Sequence, residues 1–267
     1  QPNAMGGREV GGLANMLACH LDIENSTHRE SVQNFWQSPT MPTQQGLKAV
    51  DMFDTVAAGK IKALWVMCTN PAVSLPNARK VRAAIENCDF VVVSEMFSST
   101  DTARLADVVL PATGWGEKDG TVTNSDRTIS RQRAVLPPPG EARHDWNIMC
   151  DVARRMGFST GFNYSGPAEI FREHAELSGH AAGLRKDFDI SGLADLTDFE
   201  YEALTPTKWP VPRQGDTQRS RFFSDGQFFT RDRRANLVPV KQPALASRND
   251  DRPYRLNTGR VRDQWHT

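Results

Sequence analysis

The sequence lacks the features that mark several common classes of protein. It has no excess of one charge, because 32 Lys and Arg residues balance 32 Asp and Glu residues, so no long-range field draws it to nucleic acid or to an anionic membrane. No apolar run approaches the roughly 20 residues that span a bilayer. We therefore predict a globular protein that binds neither nucleic acid nor membranes.

Common metal and nucleotide motifs are also missing. The four cysteines, Cys19, Cys68, Cys88 and Cys150, include no C-x-x-C pair, and the six histidines show no H-E-x-x-H spacing. We interpret all four cysteines as buried, reduced thiols and assign no metal ligand. The sequence has neither G-x-G-x-x-G nor G-x-x-x-x-G-K-[ST], which argues against a nicotinamide cofactor and an ATP loop.

The beginning of the chain is rich in glycine. Its first residue is Gln1 rather than a methionine, so we expect it to be part of a longer protein. The opening segment reads QPNAMGGREVGG, and glycine disfavours the interior of both helices and strands. We predict that residues 1–45 form an ordered loop region.

Strand and helix patterns alternate over residues 46–157. Short apolar runs without alternation, such as DFVVVS, are typical of strands in a parallel sheet that is covered on both faces. The predicted elements are helix 46–58, strand 61–67, helix 76–86, strand 89–94, helix 100–105, strand 107–110 and helix 145–156. This order predicts an α/β domain with a doubly wound, mostly parallel sheet.

The pattern weakens after this domain. Residues 158–250 mix Gly, Pro and Arg with brief apolar patches, and only residues 167–178 have helical spacing. We predict an irregular connector or insertion here.

Polar residues follow each predicted strand, where open α/β sheets bind their ligands. The first strand leads to Asn70 in a T-N-P turn, the second to Ser94 and Glu95, and the third to a Gly-rich stretch with Lys118. Carboxylates at strand ends accept hydrogen bonds from ribose hydroxyls in nucleotide-binding sheets. Alone, the T-N-P segment is weak evidence for a site, because T-N-P is also an ordinary turn, and both interpretations stay open.

Four segments resemble the molybdopterin oxidoreductase superfamily, and within it the assimilatory nitrate reductases. They are QPNAMGGREVGG, WVMCTNPAVSLPN, DVVLPATGWGEKDGTVTNSDR and LNTGRVRDQWHT. Each motif is modest, but their order is specific. The resemblance covers most of residues 1–157 and the last dozen residues.

The resemblance implies a cofactor and residues that contact it. Family members hold Mo-bis-molybdopterin guanine dinucleotide, and their middle α/β domain binds the nucleotide of one pterin. Carried over by motif, its contacts would be Asn70, Ser94, Glu95, Lys118 and Asp145. Residues 251–267 would begin the C-terminal β-barrel domain, whose first loop would wrap a pterin through Thr258, Gly259, Arg260, Val261, Arg262, Asp263, Gln264, Trp265, His266 and Thr267.

The resemblance also implies an activity. Arg8 resembles an arginine near molybdenum in nitrate reductases, and its planar guanidinium suits nitrate; a role in bracing the loop is the alternative. A 4Fe-4S cluster and the residue that ligates molybdenum would precede Gln1. The electron donor would be ferredoxin, flavodoxin or an NADH-dependent reductase subunit, and the location cytoplasmic.

Two other enzyme-related functions remain open, and an α/β binding module without further chemistry is the residual alternative. Formate dehydrogenases use the same scaffold and cofactor, although the REVGG opening and the FFSDGQFF segment favour nitrate. A subunit of respiratory NADH dehydrogenase has this fold without molybdenum and conducts electrons as a scaffold. Retention of T-N-P, E-K-D-G and the final segment argues against that subunit, because a chain without a pterin has little need of them.

Overall fold

A computed structural model describes residues 3–158, 160–215 and 221–242, together with Asp251 and Tyr254. Short turns of 3-10 helix connect several of its elements. In chain order the elements are α1 (Ala4–Glu9), α2 (Ser26–Trp36), α3 (Ala49–Ala57), β1 (Ala63–Met67), α4 (Pro71–Ser74), α5 (Ala78–Glu86), β2 (Phe90–Glu95), β3 (Val108–Pro111), β4 (Gly120–Thr123), β5 (Thr128–Gln132), α6 (Asp145–Arg155), α7 (Pro167–Gly183), α8 (Asp198–Glu202) and β6 (Thr207–Lys208). No helix in these ranges is long and apolar enough to cross a bilayer.

A parallel three-stranded sheet with the order β1-β2-β3 occupies the predicted α/β region. The strands and the long helices α3, α5 and α6 lie within a few residues of their predicted positions. Helices α3 and α5 pack against each other and against one face of the sheet. The buried residues of this sheet core are Phe53, Val56, Leu64, Val66, Ala72, Val81, Ala84, Ile85, Val91, Val93 and Ala103.

The predicted double winding is not seen in the part of the chain that the structure describes. A doubly wound sheet requires the strand order to reverse, so that a later strand lies on the far side of the first one. Here each crossover places the next strand on the same side, and the order β1-β2-β3 never reverses. What the structure supports is therefore an α/β unit with a parallel sheet.

A second, antiparallel sheet was not predicted. Strands β4 and β5 form a hairpin, and the short β6 pairs with the far side of β5. The hairpin turn includes Asn124 and Arg127, which has a φ of 74°. The "mostly parallel" prediction therefore holds for the first sheet only.

The prediction of a loop over residues 1–45 is wrong for α1 and α2. Helix α1 forms although its sequence contains Gly6 and Gly7. A Cβ atom at position 6 would lie 2.2 Å from the Asn3 side-chain oxygen, so this glycine permits close packing rather than a loop. Helix α2 begins after Asn25, whose side chain accepts a hydrogen bond from the His28 backbone N–H at 3.3 Å, a capping signal.

Much of the predicted connector belongs to a second core. Residues 167–211 carry α7, α8 and β6, and their apolar side chains pack against residues 17–32. The buried residues of this helical core are Leu17, Ala18, Cys19, Leu21, Ile23, Val32, Ile129, Phe171, Ala175, Leu177, Ala181, Phe188, Ile190, Leu193, Ala194, Tyr201 and Trp209. The sequence pattern did not reveal this core, because the short apolar patches pack against residues more than 100 positions earlier in the chain.

The cysteine prediction is correct for two of the four residues. Cys19 and Cys150 are buried, whereas Cys88 is half-buried and Cys68 is exposed. No disulfide joins them. Cys68 differs because it follows β1 directly, at the open edge of the sheet.

The helical core yields a stability prediction. Phe188 is fully buried, whereas Phe199 on α8 is 82% exposed. Because truncating a buried phenylalanine leaves a cavity, Phe188→Ala should lower the free energy of unfolding by about 3–5 kcal/mol, and Phe199→Ala by less than about 0.5 kcal/mol. Urea unfolding of the 267-residue chain measures both, and equal losses would contradict the assigned core.

Candidate functional site

The carboxyl ends of the three parallel strands lie side by side at one edge of the sheet. The register aligns Met67 with Ser94 and Ser94 with Leu110, so the strands end at nearly the same level. Ligands bind at this edge in α/β sheets, because the loops that follow the strands meet there. Residues 68–70 and 112–118 form the loops at this edge.

Lys118 and Asp145 form an ion pair at this edge. Their Nζ and Oδ2 atoms are 2.5 Å apart, and their side chains are 28% and 18% exposed. Backbone bonds from Arg143 to Pro111 (3.0 Å) and from Thr113 to Arg143 (3.1 Å) hold the start of α6 beside the end of β3. The structure thus brings together two predicted site residues that are 27 positions apart in the chain.

Asn70 is held in one orientation by a single neighbour. Its Oδ1 atom accepts hydrogen bonds from the Thr102 hydroxyl at 2.6 Å and the Thr102 backbone N–H at 3.3 Å. The same hydroxyl accepts a bond from the Ala72 N–H at 3.2 Å. The Asn70 amide N–H groups have no partner among the described residues, so they remain available as donors. Sequence reasoning missed Thr102, which no motif marks.

Glu95 lies half-buried at the last position of β2. One carboxylate oxygen accepts a hydrogen bond from the Met96 backbone N–H at 2.8 Å. The other has no hydrogen bond to the part of the chain that the structure describes. Glu95 therefore has a carboxylate oxygen that can accept a hydrogen bond from a ligand.

Ser94 lies in the interior and contacts Trp65. It is only 4% exposed, and its hydroxyl accepts a hydrogen bond from the Trp65 indole N–H at 2.9 Å. Side chains alternate between the faces of a strand, so neighbouring Ser94 and Glu95 cannot point the same way. Ser94 braces β2 against β1, and Glu95 is the residue at the edge.

Cys68 adds a residue that sequence reasoning overlooked. It follows β1 with a φ of 56°. Partial desolvation raises the pKa of its thiol, Asp145 and Glu95 raise that pKa further, and Lys118 lowers it. Because Met67 pairs with Ser94, Cys68 lies beside Glu95 at the edge of the sheet. Its position directly after a predicted strand was the signal that could have identified it.

Arg8 lies on α1 with an exposed side chain. It makes no hydrogen bond or ion pair with any described residue, whereas neighbouring Glu9 is 3% exposed. Arg8 is therefore a cation without a partner in these ranges, which is compatible with anion binding. The remaining predicted site residues, 258–267, lie outside the described residues.

Comparison with known proteins identifies the family. A family model described as molybdopterin oxidoreductase matches residues 3–155, more than half of the chain. The chain belongs to the molybdopterin oxidoreductase family. Membership implies a molybdopterin cofactor, and the matched residues include the whole sheet edge and Arg8.

Relatives that match the chain over its full length include two nitrate reductases and a formate dehydrogenase subunit. The chain is 47% identical to a nitrate reductase from Klebsiella oxytoca and 49% identical to one from Shewanella frigidimarina. It is 33% identical to the F420-dependent formate dehydrogenase subunit alpha of Methanocaldococcus jannaschii. The chain spans 30%, 29% and 37% of the length of these relatives.

The side chains at the sheet edge can bind a ligand that carries phosphate and hydroxyl groups. The Asn70 amide and the Lys118 ammonium are donors for phosphate oxygens, and the Glu95 and Asp145 carboxylates are acceptors for N–H and hydroxyl groups. Both kinds of group lie at the half-buried edge where nucleotides bind in such sheets. The donors and acceptors at this edge are therefore compatible with the phosphorylated molybdopterin cofactor that the family implies.

The structural role of Ser94 beside Trp65 is testable by a pair of variants. Ser94→Ala leaves the half-buried Trp65 indole N–H without its acceptor, which should lower the free energy of unfolding by about 1–2 kcal/mol. Adding Trp65→Phe removes the unsatisfied donor and should restore part of that loss. Urea unfolding gives both values. If Ser94→Ala instead left stability unchanged and reduced molybdopterin content, Ser94 would be a cofactor contact after all.

Proposed function

We propose that this chain is part of a molybdenum-dependent reductase that converts nitrate to nitrite. The observation that carries the proposal is its 47% and 49% identity, over the whole chain, to two nitrate reductases. The formate dehydrogenase relative is less similar, at 33%. An exposed arginine without a described partner, in the family's REVG segment, supports an oxyanion substrate.

The sheet edge would bind one guanine dinucleotide of a bis-molybdopterin guanine dinucleotide cofactor. Asn70 and Lys118 would donate hydrogen bonds to phosphate oxygens, while Glu95 and Asp145 would accept them from ribose hydroxyls or from the guanine ring. Ser94 would act indirectly, by bracing the strand that carries Glu95. Residues 258–267 would contact a pterin, and this assignment rests on motif resemblance alone.

Arg8 would bind and orient the substrate. Its guanidinium presents a planar fork of N–H donors that matches two oxygens of a planar oxyanion. When bound, the cofactor supplies the two electrons that, with two protons, convert nitrate to nitrite and water. Arg8 would hold the nitrate anion in one orientation, and the positive guanidinium would balance the negative charge of the anion.

Other features of the whole protein are proposed from the same likeness. A 4Fe-4S cluster in a segment outside this chain would deliver electrons from ferredoxin, flavodoxin or an NADH-dependent reductase subunit. The proposed setting is nitrate assimilation in the cytoplasm. Oxidation of formate on the same scaffold is the second candidate, supported by the full-length match to a formate dehydrogenase.

The substrate is tested with the complete protein, produced with sufficient molybdenum. Reduced viologen dye should be oxidised when nitrate is added, and nitrite should accumulate in a 1:1 ratio to nitrate consumed. If nitrate were inert but the protein held stoichiometric molybdenum and oxidised formate, the second candidate would replace the first. The 267-residue chain alone should show no turnover, since it spans about a third of its relatives.

The cofactor assignment predicts the effect of losing a site carboxylate. Asp145→Ala removes an acceptor and leaves Lys118 without its partner, so the guanine nucleotide content of the purified complete protein should fall. A loss of one charge-assisted hydrogen bond corresponds to about tenfold to hundredfold weaker binding. Asp51→Ala is the control, because Asp51 also lies in the first turn of a helix but is exposed on α3. Equal nucleotide content in both variants would refute the assignment.

A further inference from the structure

The carboxylate of Glu9 is buried and held at both oxygens. Glu9 is 3% exposed. Its Oε2 atom accepts a hydrogen bond from the Thr123 hydroxyl at 2.6 Å, and its Oε1 atom accepts one from the Trp209 indole N–H at 2.7 Å. Burial raises the pKa of Glu9, while these two hydrogen bonds and nearby His20 lower it. The side chain is therefore fixed by hydrogen bonds rather than by a direct ion pair.

Helix α1 depends on these contacts for its orientation. It has six residues, two of them glycine, and no side chain caps its N-terminus. Helices this short have little stability of their own in water. A second bond also reaches Thr123, whose backbone N–H donates to the Asn3 side-chain oxygen at 2.8 Å. Both ends of α1 are thus joined to the last residue of β4.

Trp209 ties this helix to the helical core. It is 2% exposed, and its ring lies 5.2 Å from the ring of Phe188 and 6.1 Å from that of His20. The bond from Trp209 to Glu9 joins residues 200 positions apart. The rigid helical core therefore sets the position of Glu9, and Glu9 sets the rotation of α1 about its axis.

Arg8 precedes Glu9 on the same helix. Successive helical residues point about 100° apart, so a Glu9 side chain fixed in the interior directs Arg8 toward the surface. We propose that Glu9 is a positioning residue that orients Arg8 for its oxyanion substrate. The inference rests on the proposed function, because it gives Arg8 a role in binding nitrate. Buried polar groups often contribute specificity of arrangement rather than net stability, which is the role assigned to Glu9.

The first test compares three single variants of the complete enzyme, each checked for molybdenum content and thermal midpoint. Glu9→Met keeps the side-chain volume and removes both acceptors. It should raise the KM for nitrate, and weaken equilibrium nitrate binding measured by calorimetry, by about tenfold or more, since small displacements of a substrate-binding group are costly. Glu9→Gln, which can still bond to both partners, should stay within about threefold of the parent. Glu30→Met, at an exposed position on α2, is the matched control and should change neither value.

Trp209→Phe provides an independent variant if Glu9→Met is too unstable to purify. It keeps an aromatic ring in the core but removes the N–H that donates to Glu9. Nitrate binding should weaken by about threefold to tenfold, less than in Glu9→Met, because the hydrogen bond from Thr123 to Glu9 is kept. Unchanged nitrate affinity in this variant would overturn the inference.

A double-mutant cycle separates positioning from general destabilisation. In an Arg8→Ala background, Glu9→Met should change nitrate binding by less than about twofold, because coupled residues are not additive. If Glu9→Met weakened binding equally in both backgrounds, its role would be structural and the positioning inference would fail, while the role of Arg8 stood. If Arg8→Ala alone left nitrate binding unchanged, the proposed role of Arg8 would fail and the inference would fall with it.

Discussion

The hydrogen-bonded Glu9 carboxylate is the contact on which the arrangement of this chain depends. It joins α1, the β4–β5 hairpin and the segment that carries Trp209, three parts that are far apart in sequence. A buried carboxylate without partners would be costly, so each of its hydrogen bonds constrains the segment that donates it. This constraint explains how a short, glycine-containing helix can hold a defined orientation at the surface of the helical core.

The parallel sheet supplies the other part of the candidate site. Its three strands end at one level, so short loops can bring Asn70, Glu95 and the Lys118–Asp145 pair to a common edge. The sheet core beneath them is apolar and is covered by two helices. In α/β proteins the packed sheet commonly provides stability, and the loops at its edge provide the residues that bind ligands.

Sequence reasoning succeeded where a signal was local. The run from Asp89 to Ser94 predicted β2 because consecutive apolar, β-branched residues favour a strand. It failed where a partner was distant. The glycines of α1 suggested a loop, yet the Asn3 side chain and Glu9 stabilise a helix there. The apolar residues of 167–211 resembled a connector, because their partners in residues 17–32 are far away in the chain.

The sequence alone determined the strand and helix positions of the α/β unit, the polar residues at its strand ends and the resemblance to a family. These features depend on neighbouring residues, so a linear pattern contains them. Only the tertiary structure decided that Ser94 faces Trp65 and Glu95 faces the edge, that Lys118 pairs with Asp145, and that Glu9 meets Trp209. Each of these depends on the register of a strand or on the approach of distant segments, which no local pattern encodes.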